Sequence, residues 1–413
     1  MKRATTLLNR GSAPNYVDEG PVRAISQASN QAHGIDWTKT RFHEHKGDPA
    51  SLKGYLTSED ILINSTGTGT LGRVGFFKGS PDEIPCMADS HITVIRAEKE
   101  VLYPRFSYYW MTSSQFYDYI YSALVVGATN QIELNRDKLA EAPIPLPPLE
   151  EQRRIADFLD AETGRIDRIV SLQSILKAKL IERDKAFRDG LIDELAEVYG
   201  VIPLRRMTNR ITQGSSPQCD ATPRKDESEW GVLKLSAVKQ GRFFPRENKR
   251  LPEDILANQE YEVKRGDLLV TRANTPALVG DIAVAMGDFR RLLLPDLIYR
   301  VDLAPGTNAE FIAQAALSSR SRLLIESVAR GSSQSMVKLR GEDIKAWPIP
   351  SAPPEKQNAI VCDIERELAT TSRLRAAIDH QLELLAERRR ALITAAVTGQ
   401  FDVSTASRRA AEE

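Results

Sequence analysis

Residues 143–160 read PIPLPPLEEQRRIADFLD, and residues 348–364 read PIPSAPPEKQNAIVCDI. In each, a proline-rich run stops, acidic residues follow, and apolar residues then recur at helical spacing. Proline is tolerated in the first turn of a helix but not in its interior, and it holds the preceding residue extended. Each stretch therefore predicts a stiff exit from a globular part into a helix, with Glu150-Glu151 suited to the positive helix N-terminus. The two stretches lie 205 residues apart and align without a gap through Leu134/Leu339, Gln152/Gln357, Arg168/Arg373 and Glu182-Arg183/Glu387-Arg388. Upstream the offset drifts, but Asp60-Ile61-Leu62-Ile63 still matches Asp267-Leu268-Leu269-Val270, and Gly11-Ser12-Ala13-Pro14 matches Gly214-Ser215-Ser216-Pro217. The chain reads as two copies of one unit: a globular part, a proline stop and a helix.

The helical segments are long. Ile155, Leu159, Ile166, Ile169, Leu176, Leu180 and Phe187 are separated by sums of threes and fours, and no proline interrupts residues 149–202. The second copy repeats this with Ile360, Ile364, Leu368, Leu374, Ile378, Leu382, Leu385 and Leu392. A helix of ~45 residues spans roughly 65–70 Å. Two such rods can bury their apolar stripes on each other, so an antiparallel coiled coil is expected, with Ile155, Leu159, Ile166, Ile169, Ile360, Ile364, Leu368 and Ile378 packing between the helices. The globular parts carry short β-branched runs between Gly and Asn turns, including Arg73–Phe77, Ile92–Ile95 and Asp281–Val284, with helices expected over Phe106–Tyr121 and Ala309–Val328. The fold class is α+β, two mixed α/β domains joined by two long helices. Its expected divisions are 1–148, 149–199, 200–353, 354–399 and a flexible tail at 400–413.

Lys+Arg and Asp+Glu balance at 56 each, so net charge selects no partner. The three cysteines form no pair at metal or redox spacing, and no apolar run has the length of a signal-peptide core or a membrane span, so a cytoplasmic chain is expected. Gly67-Thr68-Gly69-Thr70-Leu71-Gly72 is formally a dinucleotide fingerprint, but a strand rather than a helix follows it, and the second copy lacks the pattern. It reads as a hairpin tip. His43-Glu44-His45, with His33 nearby, reads as a solvated loop, since the second globular part has no histidine. Asp89-Ser90-His91 has no nucleophile elbow to serve, and neither copy assembles a catalytic site. Residues 203–354 hold 23 Lys+Arg against 18 Asp+Glu, several beside aromatic and small polar residues, as phosphate contacts require.

Two divergent globular parts, each ending in P-[LI]-P-x-x-P-[PL]-E-x-Q and a long helix, resemble the specificity subunit of type I DNA restriction–modification systems. Asp60–Gly67, Gly127–Gln131 and the closing Glu387–Gly399 are similar to that family as well. The resemblance implies target recognition domains in pseudo-twofold arrangement, each reading one half of a bipartite double-stranded DNA site. It implies helices that set the spacing and dock two modification (methyltransferase) subunits, with restriction (endonuclease and translocase) subunits joining them. No cofactor is expected on this chain; S-adenosylmethionine, ATP and Mg belong to the partners. Base-reading residues do not transfer within so divergent a family. From loop position and residue type, the DNA-binding candidates are Lys46, Thr68, Thr70, Arg73, Asn130 and Gln131 in the first copy, and Lys239, Arg242, Arg272, Asn274, Thr275 and Gln334 in the second. Two other readings stay open: the recognition arm of another split restriction–methylation enzyme, and a coiled-coil scaffold with no DNA role.

Overall fold

A computed structural model describes residues 1–31, 34–67, 69–126, 132–333 and 336–403. The chain forms two compact units, Met1–Ser174 with Asp379–Glu413, and Ile175–Ile378.

In the first unit an antiparallel sheet runs Thr5–Arg10, Ile92–Ala97, Ile61–Asn64, Val74–Phe76. A second sheet runs Tyr16–Val17, Arg41–His43, Val22–Ile25, Cys86–Ala88, its last pair parallel. The other unit repeats the first sheet as Thr208–Gln213, Ile298–Leu303, Leu268–Thr271, Ile282–Val284. Its second sheet is Asn248–Arg250, Gly231–Leu233, Leu292–Leu293, again with the last pair parallel. Even the irregularity repeats: the register slips between Thr5 and Leu7, and between Thr208 and Arg210. The glycine motif follows the strand Ile61–Asn64, whose partner is the antiparallel Val74–Phe76, so this region is a hairpin.

The single helices expected over Phe106–Tyr121 and Ala309–Val328 are each two. Pro104–Thr112 is followed by Ser114–Tyr119, and Ala309–Ala316 by Ser319–Val328. The break is a buried serine in each copy. Ser113 donates to Trp110 O and accepts the amide of Phe116, while Ser318 donates to Ala315 O and accepts that of Ser321. A hydroxyl that satisfies the free amide of a new first turn ends one helix and caps the next.

The first long helix covers Leu149–Tyr199 and the second Pro354–Val397. Each contributes one part to each unit. Within the first unit they run antiparallel, with Asp167 paired to Arg389 at 3.3 Å and Gln173 donating to Gln381 at 2.8 Å. Within the second, Thr371 donates to Asp184 at 3.0 Å, Arg375 pairs with the same carboxylate, and Ile192 and Leu195 share a core with Ile360 and Ile364, the antiparallel order again. Much of the stripe packs on the globular parts. Ile155 and Leu159 join Phe106, Tyr109, Ile393 and Val397 in the first core; Ile360 and Ile364 join Phe311 and Trp347 in the second. Tyr109 also donates to Asp160 at 2.5 Å, and Arg105 pairs with that carboxylate, so the short helix is tied to the long one by charge as well as by burial.

Ile166 and Ile378 are buried and Leu368 is partly buried against the second core, but Ile169 is 44% exposed and does not belong to the seam. Three residues turn a helix about 300°, so Ile169 sits about 60° round from Ile166. Ile166→Asp is therefore expected to destabilise the first unit by more than ~3 kcal/mol, since it buries an unpaired charge, and Ile169→Asp by less than ~1 kcal/mol. Urea unfolding of both variants checks this, and equal losses would contradict the assignment of faces.

Candidate nucleic-acid interface

In the first unit the hairpin tip is held from behind by buried amides. Asn30 Nδ2 donates to Asn64 Oδ1 at 2.9 Å, and Asn64 Nδ2 to Gln27 O at 3.3 Å. Thr70 Oγ1 reaches Gln27 Oε1 at 3.2 Å, and Arg73 Nη1 reaches Gln31 Oε1 at 2.9 Å. On the other side Thr66 Oγ1 lies 2.8 Å from His91 Nδ1, and Ser65 Oγ lies 2.6 Å from Thr93 Oγ1. Thr70 and Arg73, expected to contact DNA, thus spend side-chain polar atoms on the protein. Lys46 is exposed in the loop that follows the strand Arg41–His43. Thr68, Asn130, Gln131 and the loop histidine His33 lie outside the described residues. Among the described residues no group of His, Cys, Asp and Glu could hold a metal ion.

In the second unit the corresponding tip contains Arg272, Asn274 and Thr275. Arg272 is partly buried; its Nη1 lies 3.5 Å from Asp296 O and its guanidinium 6.0 Å from the Tyr299 ring. Asn274 Oδ1 accepts the amide of Thr275 at 2.9 Å, leaving the Thr275 side chain exposed. The neighbouring hairpin, Val238–Lys239 with Arg242–Phe243, is fastened to this one where Gln240 N donates to Asp281 at 2.8 Å. Lys239 is exposed there, while Arg242 Nη2 reaches Ser372 on the second long helix at 3.3 Å. Gln334 lies outside the described residues. Exposed Arg246, Lys249 and Arg290 add positive charge to this unit. The run Arg242–Arg250 makes the first two visible in the sequence; Arg290 carries no such signal.

Burial raises the pKa of Asp89, which accepts the amide of His91 at 2.8 Å, and of Asp281. A carboxyl whose folded pKa lies above its unfolded value makes the ionised form costly in the fold. That cost is fully present above the folded pKa and vanishes as pH falls below the unfolded one. Asp89→Asn, which keeps the acceptor for His91 N–H, is expected to raise Tm at pH 7, the gain shrinking as the medium is acidified through the carboxylate range. A gain that grows with acidity would refute the assignment.

The chain is similar to known proteins in sequence and in fold. Residues 23–173 match the family described as the type I restriction modification DNA specificity domain. The type I restriction enzyme EcoEI specificity subunit of Escherichia coli is 31% identical over 176 residues, covering 41% of this chain and 30% of that protein. The putative MjaX specificity subunit of Methanocaldococcus jannaschii is 25% identical over 64% of this chain and 62% of its own length. The EcoKI specificity subunit of Escherichia coli K12 is 24% identical over 97% of this chain and 88% of its own. The chain thus spans less than two thirds of the first two relatives. Among solved structures, a chain from a type I R-M system studied for complex assembly and conformational transition shares the fold, with a TM-score of 0.65 at 18% identity and 96% coverage of both chains. The duplicated two-sheet unit with paired long helices thus coincides with a sequence match to a DNA specificity domain in its first copy. Over its length the chain is similar to the specificity subunits of type I restriction–modification systems.

Proposed function

We propose that this chain selects the DNA sequence on which a type I complex acts. Each unit reads one half of a bipartite duplex site, and the long helices set the gap between halves. The observation that carries this reading is the repeat itself: one sheet topology occurs twice, while the hairpin tips that join its strands share almost no side chains. A common frame with different tips is what two different half-sites require. The chain is non-catalytic in this reading and works in the cytoplasm. Two methyltransferase subunits dock on the long helices, where Ile175, Leu176, Ile181 and Phe187 stand exposed on the first long helix. Restriction subunits join them, and S-adenosylmethionine, ATP and Mg are held by those partners. No described helix is long and apolar enough to cross a membrane.

Mapping methylated bases in the host genome tests the reading. Deleting the gene for this chain is expected to abolish methylation at one interrupted motif and leave other motifs untouched, and re-expression restores it. Unchanged methylation in the deletion strain would refute it, as would a lost motif that is continuous.

A further inference from the structure

In each unit the closing turn of the hairpin tip rests on the same neighbouring element. Gly72 closes the first tip, donating to Asn64 O at 2.8 Å with φ +78°; Gly280 closes the second, donating to Thr271 O at 3.0 Å with φ +69°. A Cβ on Gly72 would lie 3.4 Å from Ile120 Cδ1, and one on Gly280 would lie 2.8 Å from Ile325 Cγ2. Ile120 and Ile325 are both fully buried and stand 205 residues apart, at the spacing of the repeat. Each closing glycine therefore seats its tip on an equivalent isoleucine, presented by the second of the two short helices or the turn directly after it.

From that same element a polar side chain reaches out to carbonyls of the tip, and here the copies differ. In the first unit Tyr121 Oη donates to Leu71 O at 3.2 Å, its ring packed on Tyr117 at 4.8 Å between centroids. Burial and the neighbouring Tyr117 push the Tyr121 phenol up to about 12, so it remains a donor at neutral pH. Tyr121 lies in a π-helical turn, Ile120–Leu124, a local distortion that recurs at functional sites. In the second unit Arg322 Nη1 donates to Val279 O at 2.8 Å and Nη2 to Ala277 O at 3.1 Å, a fork across the end of the tip. Neither residue belongs to the set that loop position and residue type select from the sequence.

We propose that Tyr121 and Arg322 are positioning residues for sequence discrimination, each clamping the carbonyls of its own hairpin tip so that the tip meets base edges in one fixed geometry. This rests on the DNA-reading role proposed above. A tip that moves freely can rearrange to satisfy a wrong base, and a wrong base is then penalised little. A tip held in place leaves its polar groups unpaired against the wrong base, and the penalty is felt in full. The clamps act on discrimination within one half-site each, because each is confined to one unit.

The test uses the full chain assembled with its methyltransferase partners. Methylation rates are measured on the site found by mapping and on duplexes with one base pair changed in either half. Tyr121→Phe keeps the ring and removes the donor; Arg322→Lys keeps the charge and removes the fork. Loss of one hydrogen bond corresponds to about a five- to tenfold fall in discrimination. Tyr121→Phe is expected to show it in one half only and Arg322→Lys in the other half only. Wild-type discrimination in both variants overturns the inference, and so does an equal loss in both halves, which marks a general loss of structure. A wild-type complex that discriminates in neither half brings down the DNA-reading role, and the clamps with it. Hydrogen exchange on the free chain reads the clamp without DNA. Tyr121→Phe is expected to speed exchange at Leu71–Arg73 and leave Leu278–Asp281 unchanged, and identical exchange in variant and wild type overturns the clamp.

Discussion

Replacing Gln152 with leucine is expected to destabilise the first unit by about 3–5 kcal/mol, whereas the same change at Gln357 is expected to cost ~1 kcal/mol or less. Both glutamines are buried, and they occupy equivalent places after the two proline stops. Gln152 accepts the amide of Tyr103 at 2.7 Å and donates to Pro147 O at 2.8 Å and Val101 O at 3.0 Å, so it staples the start of the long helix to the strand–helix connection. Leucine fills the space and leaves those backbone groups without a partner, at ~1–3 kcal/mol for each one that water cannot reach. Gln357 makes one bond, donating to Ala352 O at 2.8 Å, and its Oε1 has no partner among the described residues. There leucine removes an unsatisfied oxygen along with the single bond. Hydrogen exchange resolved by unit measures both variants, and equal losses at the two positions would remove the staple from the account.

The second large effect concerns specificity. Exchanging residues 1–142 for the corresponding part of a related subunit is expected to replace one half of the methylated motif and preserve the other. Each wrong base pair costs ~1–3 kcal/mol, so a half-site with several mismatches should lose methylation by more than ~100-fold. The first core dictates what the graft must carry. Phe106 and Tyr109 pack with Ile155, Leu159, Ile393 and Val397, and Met1 donates from its amino group to Ala142 O at 2.7 Å inside the same core. A graft without matching residues at these contacts fails by folding, which circular dichroism distinguishes. A folded hybrid in which both halves of the motif change would show that the units do not read independently.

The long helices and the repeat were legible because prolines and a period of three and four leave marks that survive divergence. What the stripes pack on was not. Ile155 and Ile169 carry the same label in a periodic series, yet one lies in a core and the other in solvent. The serines that split the short helices carried a signal, since Ser113 and Ser318 recur at the repeat spacing, but a capping serine and a serine in a helix read alike until the chain turns. The candidate DNA residues were chosen by type and loop. That criterion selects Thr70, Arg73 and Arg272, whose polar atoms bond to the protein's own loops, and passes over Tyr121 and Arg322, whose importance depends on distant carbonyls. Long-range pairing of this kind leaves no trace in local sequence.

The way the chain is divided also orders its birth. Residues 175–378 form one unit without interruption, but the unit that begins at Met1 needs Ile393, Ala396 and Val397 in its core. Domains usually fold as they emerge from the ribosome, the N-terminal one first, at ~5–20 residues per second. Here the unit made first waits for the last stretch of the second long helix, and the unit made later is the first to be complete. The opening segment therefore spends most of its synthesis with an apolar face uncovered, and the closing helix acts as its latch.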